Sequence, residues 1–168
     1  MPEFHTRPAK LYDAPRLRDY FAALLEERCP YFLTRESPPT LDEAAEIIRD
    51  YAESPRSALI LAEAPEAIVG FIQFCGFSHP QQTHWGTLAV SVLRPWRRRG
   101  VGRALVTALL EWAKGVDGLR RVSLEVFATN TPAIRLYESM GFAVDGAKRE
   151  GVRVGETYVD LLLMSRGV

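Results

Sequence analysis

The sequence predicts a mixed α/β fold, a mostly antiparallel central sheet flanked by helices, and three observations predict it. Two β-rich runs, SALILAE and AIVGFIQFCGF, are joined by a short turn at Pro65 and Glu66, the pattern of a hairpin. After residue 100 the period changes, and Val101, Ala104, Leu105, Ala108, Leu109 and Trp112 fall on one face of a helix. An alternating run, a second helical run and more strand-like sequence follow. The order is that of a layered α/β sheet.

Taken in order, Phe4 to Arg7 reads as a short first strand, and Asp13 to Arg28 as a helix with Leu17, Phe21, Leu24 and Leu25 on its apolar side. Cys29 to Pro39 breaks that helix. A second one starts at TLDEAAEIIRDY, where Thr40 caps and Glu43, three residues on, reaches back in a capping box. The hairpin comes next, and THWGTLAVSVL is a third β run. In RVSLEVFA, Val122, Leu124 and Val126 share one face, and Ser123, Glu125 and Phe127 the other. NTPAIRLYESMGF is helical: Asn130 or Thr131 caps, Pro132 suits the first turn and Gly141 the left-handed end. Residues 142 to 165 give two more strands around a glycine-rich, charged turn near Gly151.

Length and composition set bounds. The 168 residues suffice for one domain, 1–168, with its own core. Acidic and basic residues number 21 each, which argues against a general nucleic-acid binder, since such a protein would show a basic excess. Cys29 and Cys75 are too few for a disulfide framework and read as free thiols in a reducing compartment. No signal peptide and no apolar run of the ~20 residues a membrane span needs are visible. A soluble, cytoplasmic protein without membrane, metal or nucleic-acid partners is expected.

The stretch RRRGVGRAL, Arg97 to Leu105, ends the third β run and opens a helix. The first turn of a helix carries unpaired N–H groups and a partial positive charge, and glycines let an anion approach that backbone closely. A phosphate cradle is the physical reading. It is no Walker loop, because no Gly-Lys-Ser/Thr follows, and a poor dinucleotide fingerprint, because Leu105 stands at the third glycine position. An ordinary helix start beside a surface charge cluster is the plainer alternative.

The segments LAVSVLRPWRRRGVGRAL and LEVFATNTPAIRLYESMGF resemble the GNAT superfamily of acyl-CoA-dependent N-acyltransferases. Its Arg/Gln-x-x-Gly-x-Gly/Ala loop matches Arg97, Gly100 and Gly102. Its Asn-x-x-Ala-x-x-Leu-Tyr-x-x-x-Gly-Phe run matches Asn130, Ala133, Leu136, Tyr137, Gly141 and Phe142. The central stretch is similar to ribosomal-protein alanine N-acetyltransferases. One departure is Arg94, which stands where many members have a proline, with Pro95 following.

The resemblance implies a splayed strand pair holding acyl-CoA. It assigns the pyrophosphate to Arg97, Arg98, Arg99, Gly100, Val101, Gly102 and Arg103, and the pantetheine arm to Val90, Ser91 and Val92, with Asn130 contacting the same arm or serving only as a helix cap. It implies Tyr137 as proton donor to the leaving thiolate, against the alternative of a core tyrosine on the stripe Ala133, Leu136, Tyr137 and Met140. It implies Glu125 as general base, in partly apolar surroundings that would favour proton uptake. Glu125 is otherwise a solvated edge residue or a partner for Arg121, and His84, placed in the preceding strand, is the rival base.

The activity implied is transfer of an acetyl group from acetyl-CoA to a primary amine of a small molecule or protein N-terminus, by direct attack in a ternary complex. No cysteine lies in either motif, which disfavours an acyl-enzyme route. The resemblance implies an acceptor site lined by CPYFLTRESPP and AKREGVRVGE; Tyr31 and Phe32 either cover an apolar substrate part or, the commoner role, anchor the loop in the core, and Arg149 and Glu150 point to no single charge preference. A homodimer is compatible with the sequence. Two other classes stay open: a non-catalytic acyl-CoA-binding regulator, and a nucleic-acid module using Arg97, Arg98, Arg99, Arg120 and Arg121.

Overall fold

The computed structural model describes residues 3–31 and 36–168. Backbone proximity groups the chain into two compact units, residues 1–75 with 90–117, and residues 76–89 with 118–168. Seven strands and four α-helices are described, and of the strand registers given, all but one are antiparallel. The mixed, mostly antiparallel sheet with helices is the architecture expected from the sequence.

The first unit carries β1 (His5–Pro8), α1 (Ala14–Glu26), α2 (Leu41–Glu53), β2 (Ser57–Glu63), β3 (Ile68–Gly76), the end of β4 (Trp85–Val92) and α3 (Val101–Lys114). β1 pairs with β2 and β2 with β3, from Ser57 opposite Cys75 to Glu63 opposite Ile68, so SALILAE and the following run do form a hairpin. Ala58 to Ala62 are all buried, because helices cover this strand on both faces. On one side Leu59, Leu61, Ile68 and Phe71 meet Leu17, Tyr20 and Leu24 of α1 and Ala44 and Ile48 of α2. α3 also packs on β2, and its Trp112 meets Phe74 of β3 with ring centroids 5.6 Å apart.

The buried stripe of α1 is Leu17, Tyr20 and Leu24, while Phe21 and Leu25 flank it half-buried. α2 starts as expected: the Thr40 hydroxyl accepts from the Glu43 amide at 3.2 Å, and the Glu43 carboxylate accepts from the Thr40 amide at 2.8 Å. Ahead of α1 a 3-10 turn, Leu11–Asp13, buries an ionic cluster in which Arg7 binds Asp13 and Glu63, and Arg16 also binds Glu63.

The second unit carries the start of β4, β5 (Arg121–Phe127), α4 (Thr131–Ser139), β6 (Ala143–Val154) and β7 (Thr157–Gly167), with the strands in the order β4-β5-β7-β6. β4 and β5 are parallel, Trp85 to Leu88 against Arg121 to Leu124, and this register ends at Leu88. β5 runs antiparallel to β7 along its whole length. Val122, Leu124 and Val126 are buried as their alternation predicts. Phe127, on the other face, is buried too, because Val152 and Leu161 cover it.

The last hairpin differs from expectation in where it turns. The chain reverses at Gly155, which has φ 62°, and Gly151 lies inside β6, where the register slips between Lys148 and Val152. Gly151 is there for space: a Cβ would stand 3.0 Å from Leu161 Cγ and 3.1 Å from the Lys148 carbonyl. A bulge and a turn share the same glycine-rich composition, and sequence alone does not separate them. Among the described residues, no helix is long and apolar enough to cross a membrane.

Candidate active site

The cradle is built from the end of β4, a 3-10 turn at Arg94–Trp96 and the first turn of α3. Pro95 suits the start of that turn, since its fixed φ fits and it has no N–H to lose. Arg97 is extended at φ −69° and ψ 153°. Arg98 is left-handed at φ 61°, a conformation that costs a non-glycine residue roughly 1 kcal/mol or more. Gly100 is left-handed as well, at φ 84°, and N-caps α3 with no side chain over the helix end.

The first backbone bond given for α3 runs from the Ala104 amide to the Gly100 carbonyl at 2.9 Å, which leaves the amides of Val101 and Gly102 at the open end of the helix. These donors and the positive end of the helix dipole make an anion seat, as in other glycine-opened helices. A Cβ on Gly100 would meet nothing within 4 Å, which leaves the approach clear.

Arginine side chains around the seat are not equivalent. Arg97 turns inward, ion-paired with Glu27 at the C-terminal cap of α1, and its Nε donates to the Val92 carbonyl at 2.8 Å. Arg99 lies over the Trp96 ring, 5.4 Å from its centroid, and pairs with Glu3 at 3.2 Å. Arg98 and Arg103 are exposed. The Arg97 guanidinium is thus engaged by both Glu27 and the end of β4. Of the other arginines in the nucleic-acid alternative, Arg121 pairs with Asp145 at 2.7 Å.

Glu27, Tyr20 and Gly70 are parts of this region that sequence reasoning passed over. Glu27 accepts from the Arg94 amide at 2.5 Å, and its own carbonyl accepts from Arg94 Nη2 at 3.0 Å. Tyr20 and Ser91 share a hydrogen bond of 2.8 Å between hydroxyls, both residues being buried, and burial raises the Tyr20 pKa. Val90 and Val92 on either side of Ser91 are half-buried. A Cβ on Gly70 would stand 3.0 Å from the Ser91 carbonyl, 3.1 Å from Leu105 Cδ1 and 3.2 Å from Val101 Cγ1. Only glycine at 70 lets the start of α3 lie this close to β3. A single glycine inside the apolar run IVGFIQF was the available signal.

In the second unit, Tyr137 sits on the buried side of α4 with its ring against Phe142, centroids 5.7 Å apart. It is 7 % exposed, and burial pushes its pKa up to about 12. Its hydroxyl has no hydrogen-bond partner among the described residues. The hydroxyl is not among the fully buried side-chain atoms left without a partner, so the ring is enclosed while the oxygen stays reachable from outside.

Asn130 caps α4: its Oδ1 accepts from the Ala133 amide at 3.4 Å, and its carbonyl accepts from the Ile134 amide at 3.1 Å. Glu125 lies on the exposed side of β5 opposite Leu163 and pairs through Oε1 with Lys148 Nζ at 2.5 Å. The apolar surroundings expected for Glu125 are absent, because β6 supplies a lysine beside it. Nor does it pair with Arg121, which is taken by Asp145 and by the Ser165 hydroxyl at 2.8 Å. His84 belongs to the exposed turn before β4 rather than to the strand, and its carbonyl accepts from the Arg120 amide at 2.7 Å.

The expected acceptor segments are partly described. Tyr31 ends a turn after α1 and is 36 % exposed, and Phe32 lies outside the described residues. Arg149 and Glu150 occupy the β6 bulge, where Glu150 is left-handed at φ 50° and its amide donates to Asp160 Oδ1 at 2.7 Å. Among the described residues no group of three or more His, Cys, Asp or Glu side chains is placed to hold a metal ion.

Comparison with known proteins bears on the family and the fold. Residues 21–142 match the model of the acetyltransferase (GNAT) family. The chain is 31% identical over 116 residues to the L-amino acid N-acetyltransferase AaaT of Escherichia coli (strain K12), covering 68% of this chain and 71% of that one. It is 30% identical over 148 residues to an N-alpha-acetyltransferase of Sulfurisphaera tokodaii, covering 83% of this chain and 80% of the relative. The crystal structure of an acetyltransferase of GNAT family from Streptococcus pneumoniae superposes with a TM-score of 0.92 at 24% identity, covering 99% of this chain and all of that one.

Proposed function

Since the chain belongs to the acetyltransferase (GNAT) family, we propose that it moves an acetyl group from acetyl-CoA to the primary amine of a small molecule or a protein N-terminus. Residues 1–168 act together as a single N-acetyltransferase domain in this reading. The observation that carries it is Tyr137, a buried tyrosine whose hydroxyl is uncommitted among the described residues and whose proton is retained far above neutral pH.

The first-unit residues bind. Amides from Arg98 to Arg103, opened by the left-handed Gly100, receive the pyrophosphate of acetyl-CoA, and Val90 to Val92 receive the pantetheine arm and polarise the thioester carbonyl through backbone N–H groups. Arg97 supports this loop through Glu27. Asn130 caps α4 and, through the amide nitrogen its cap does not use, contacts the same arm.

Tyr137 donates to the departing thiolate. A hydroxyl at about 12 faces a thiol near 8.5, so full proton transfer is uphill by about 5 kcal/mol unless the thiolate is equally desolvated. Its contribution is a hydrogen bond that strengthens as negative charge develops on sulfur, with the proton moving late. Glu125 takes the proton of the attacking amine. Lys148 occupies its Oε1 and leaves Oε2 for a water that relays that proton. Neither cysteine lies in these segments, consistent with direct attack.

The acceptor is sought among amino acids and peptides with free N-termini, the classes named by the two relatives. Free-thiol release from acetyl-CoA in the presence of each amine tests the proposal. Release that depends on an amine supports it; ligand binding without release with any amine would make the chain an acyl-CoA-binding regulator.

A further inference from the structure

β4 pairs with β3, the Leu93 amide donating to the Val69 carbonyl at 3.0 Å, but on its β5 side the parallel register ends at Leu88. Val90, Ser91 and Val92 lie beyond that point. In the first unit, α1 makes two polar contacts with this end of the strand. Tyr20 hydrogen-bonds the Ser91 hydroxyl at 2.8 Å. Two turns further on, Glu27 holds the Arg97 guanidinium, whose Nε donates to the Val92 carbonyl at 2.8 Å. Tyr20, Leu24 and Glu27 stand at i, i+4 and i+7, one face of the helix, with Leu24 buried between the two polar groups.

We propose that Tyr20 and Glu27 are positioning residues for the acetyl-transfer step, clasping the last two residues of β4 from helix α1 so that the strand end keeps one conformation. This rests on the reading that Val90 to Val92 carry the thioester. The physical need is specific. A backbone donor stabilises a developing oxyanion only if it is already in place, because reorganising it during the reaction forfeits the gain. A strand end held laterally by β3 alone keeps more freedom than one paired on both sides, and each clasp removes some of it.

Both clasps are also well chosen as locks. The Tyr20–Ser91 bond is between buried groups, so opening it leaves two hydroxyls unsatisfied away from water. Glu27 has 12 % of its side chain exposed and accepts from both the Arg94 amide and Arg97, so one carboxylate fixes the strand exit and the loop leading to the cradle. Neither residue touches the reacting atoms in this scheme.

The test uses Tyr20→Phe, Glu27→Gln and the double variant of the full chain. Backbone amide exchange, measured without ligand, should rise roughly three- to tenfold over Val90 to Leu93 in each single variant and more in the double, with β2 unchanged. Turnover should fall and KM for acetyl-CoA should rise by similar factors, while KM for the acceptor stays put. Adding Ser91→Ala to Tyr20→Phe removes the orphaned hydroxyl, so melting temperature should recover while turnover stays low. Variants with a lowered melting temperature but wild-type exchange and kinetics would overturn the proposal and make both residues ordinary core contacts. If wild-type protein releases no thiol, the acetyl-transfer reading fails on its own, and the ligand-free exchange result still decides whether the clasps exist.

Discussion

Arg7 grips Asp13 through both ends of its guanidinium, Nη1 to Oδ2 and Nη2 to Oδ1 at 2.7 Å each, and Asp13 is wholly out of solvent. Burial alone would raise the Asp13 pKa, but the Arg7 bonds and the Lys10 amide outweigh it and lower it. Glu63, hydrogen-bonded by Arg7 and then by Arg16, is lowered from 4.5 to about 2. Both carboxylates are easier to ionise folded than unfolded. Their contribution is therefore present above about pH 4.5 and lost as pH falls towards 2. Melting temperature should drop through that window, and Glu63→Gln should melt lower at neutral pH with a shallower acid slope. An unchanged slope in that variant would show that acid unfolding starts elsewhere.

Tyr137→Phe separates ring from hydroxyl. No hydrogen bond among the described residues is lost, so melting temperature at pH 7 should barely move. Turnover should fall, roughly 10- to 1000-fold, as for removal of a general acid. Because the folded pKa is about 12 against 10.0 unfolded, the wild-type tyrosine contributes stability below pH 10 that is lost as pH rises through 12. The phenylalanine variant should lack that part of the alkaline loss. Thiol release and thermal melts read both effects, and full activity in the variant would return Tyr137 to the core.

Gly100 offers a test of the anion seat in which charge and strain are distinguishable. Acetyl-CoA should stabilise the wild-type fold by about 2.7 kcal/mol at 100 times its dissociation constant. Gly100→Ala meets no atom within 4 Å but must adopt φ 84°, so it should cost about 1 kcal/mol and weaken binding only in part. Gly100→Asp places a carboxylate that helix N-termini favour and phosphates do not. Its ligand-free stability should be near that of the alanine variant, yet acetyl-CoA should no longer raise its melting temperature. A persisting shift would move the pyrophosphate elsewhere.

Glu125 and His84 make opposite predictions for the pH dependence of turnover. A base in the ternary complex appears as an acidic limb, which should vanish in Glu125→Gln with little change in acetyl-CoA affinity. His84→Gln should behave as wild type, its only described bonds being through its carbonyl. Loss of the limb in the histidine variant, with wild-type rates in Glu125→Gln, would reverse the assignment.

Much of this architecture is legible in local pattern. The Thr40–Glu43 capping box, the hairpin at Pro65 and the helix beginning at Val101 each depend on residues within a few positions of one another, and each forms. The buried face of that helix, however, is rotated from the one read: Val106, Leu110 and Ala113 are buried with Val101, Leu105 and Leu109, while Ala104, Ala108 and Trp112 are half-buried. What escaped reading depends on distant pairs. Lys148 beside Glu125, Asp145 beside Arg121 and Glu27 beside Arg97 are separated by 23, 24 and 70 residues, and no periodicity announces a partner that far away. The Gly151 bulge was hidden for a different reason, because turns and bulges draw on the same residue types.

Gly70 has an evolutionary corollary. Its missing side chain is the space into which Val101 and Leu105 project, so the helix that opens the anion seat is recorded partly in a strand thirty residues upstream. Positions 70, 101 and 105 are packed as one unit, and a larger residue at 70 needs both smaller neighbours and a shift of the Ser91 carbonyl. Natural variation among relatives should show the three changing in concert, and grafting the RRRGVGRAL loop into a host strand lacking that glycine should transfer the motif without its geometry.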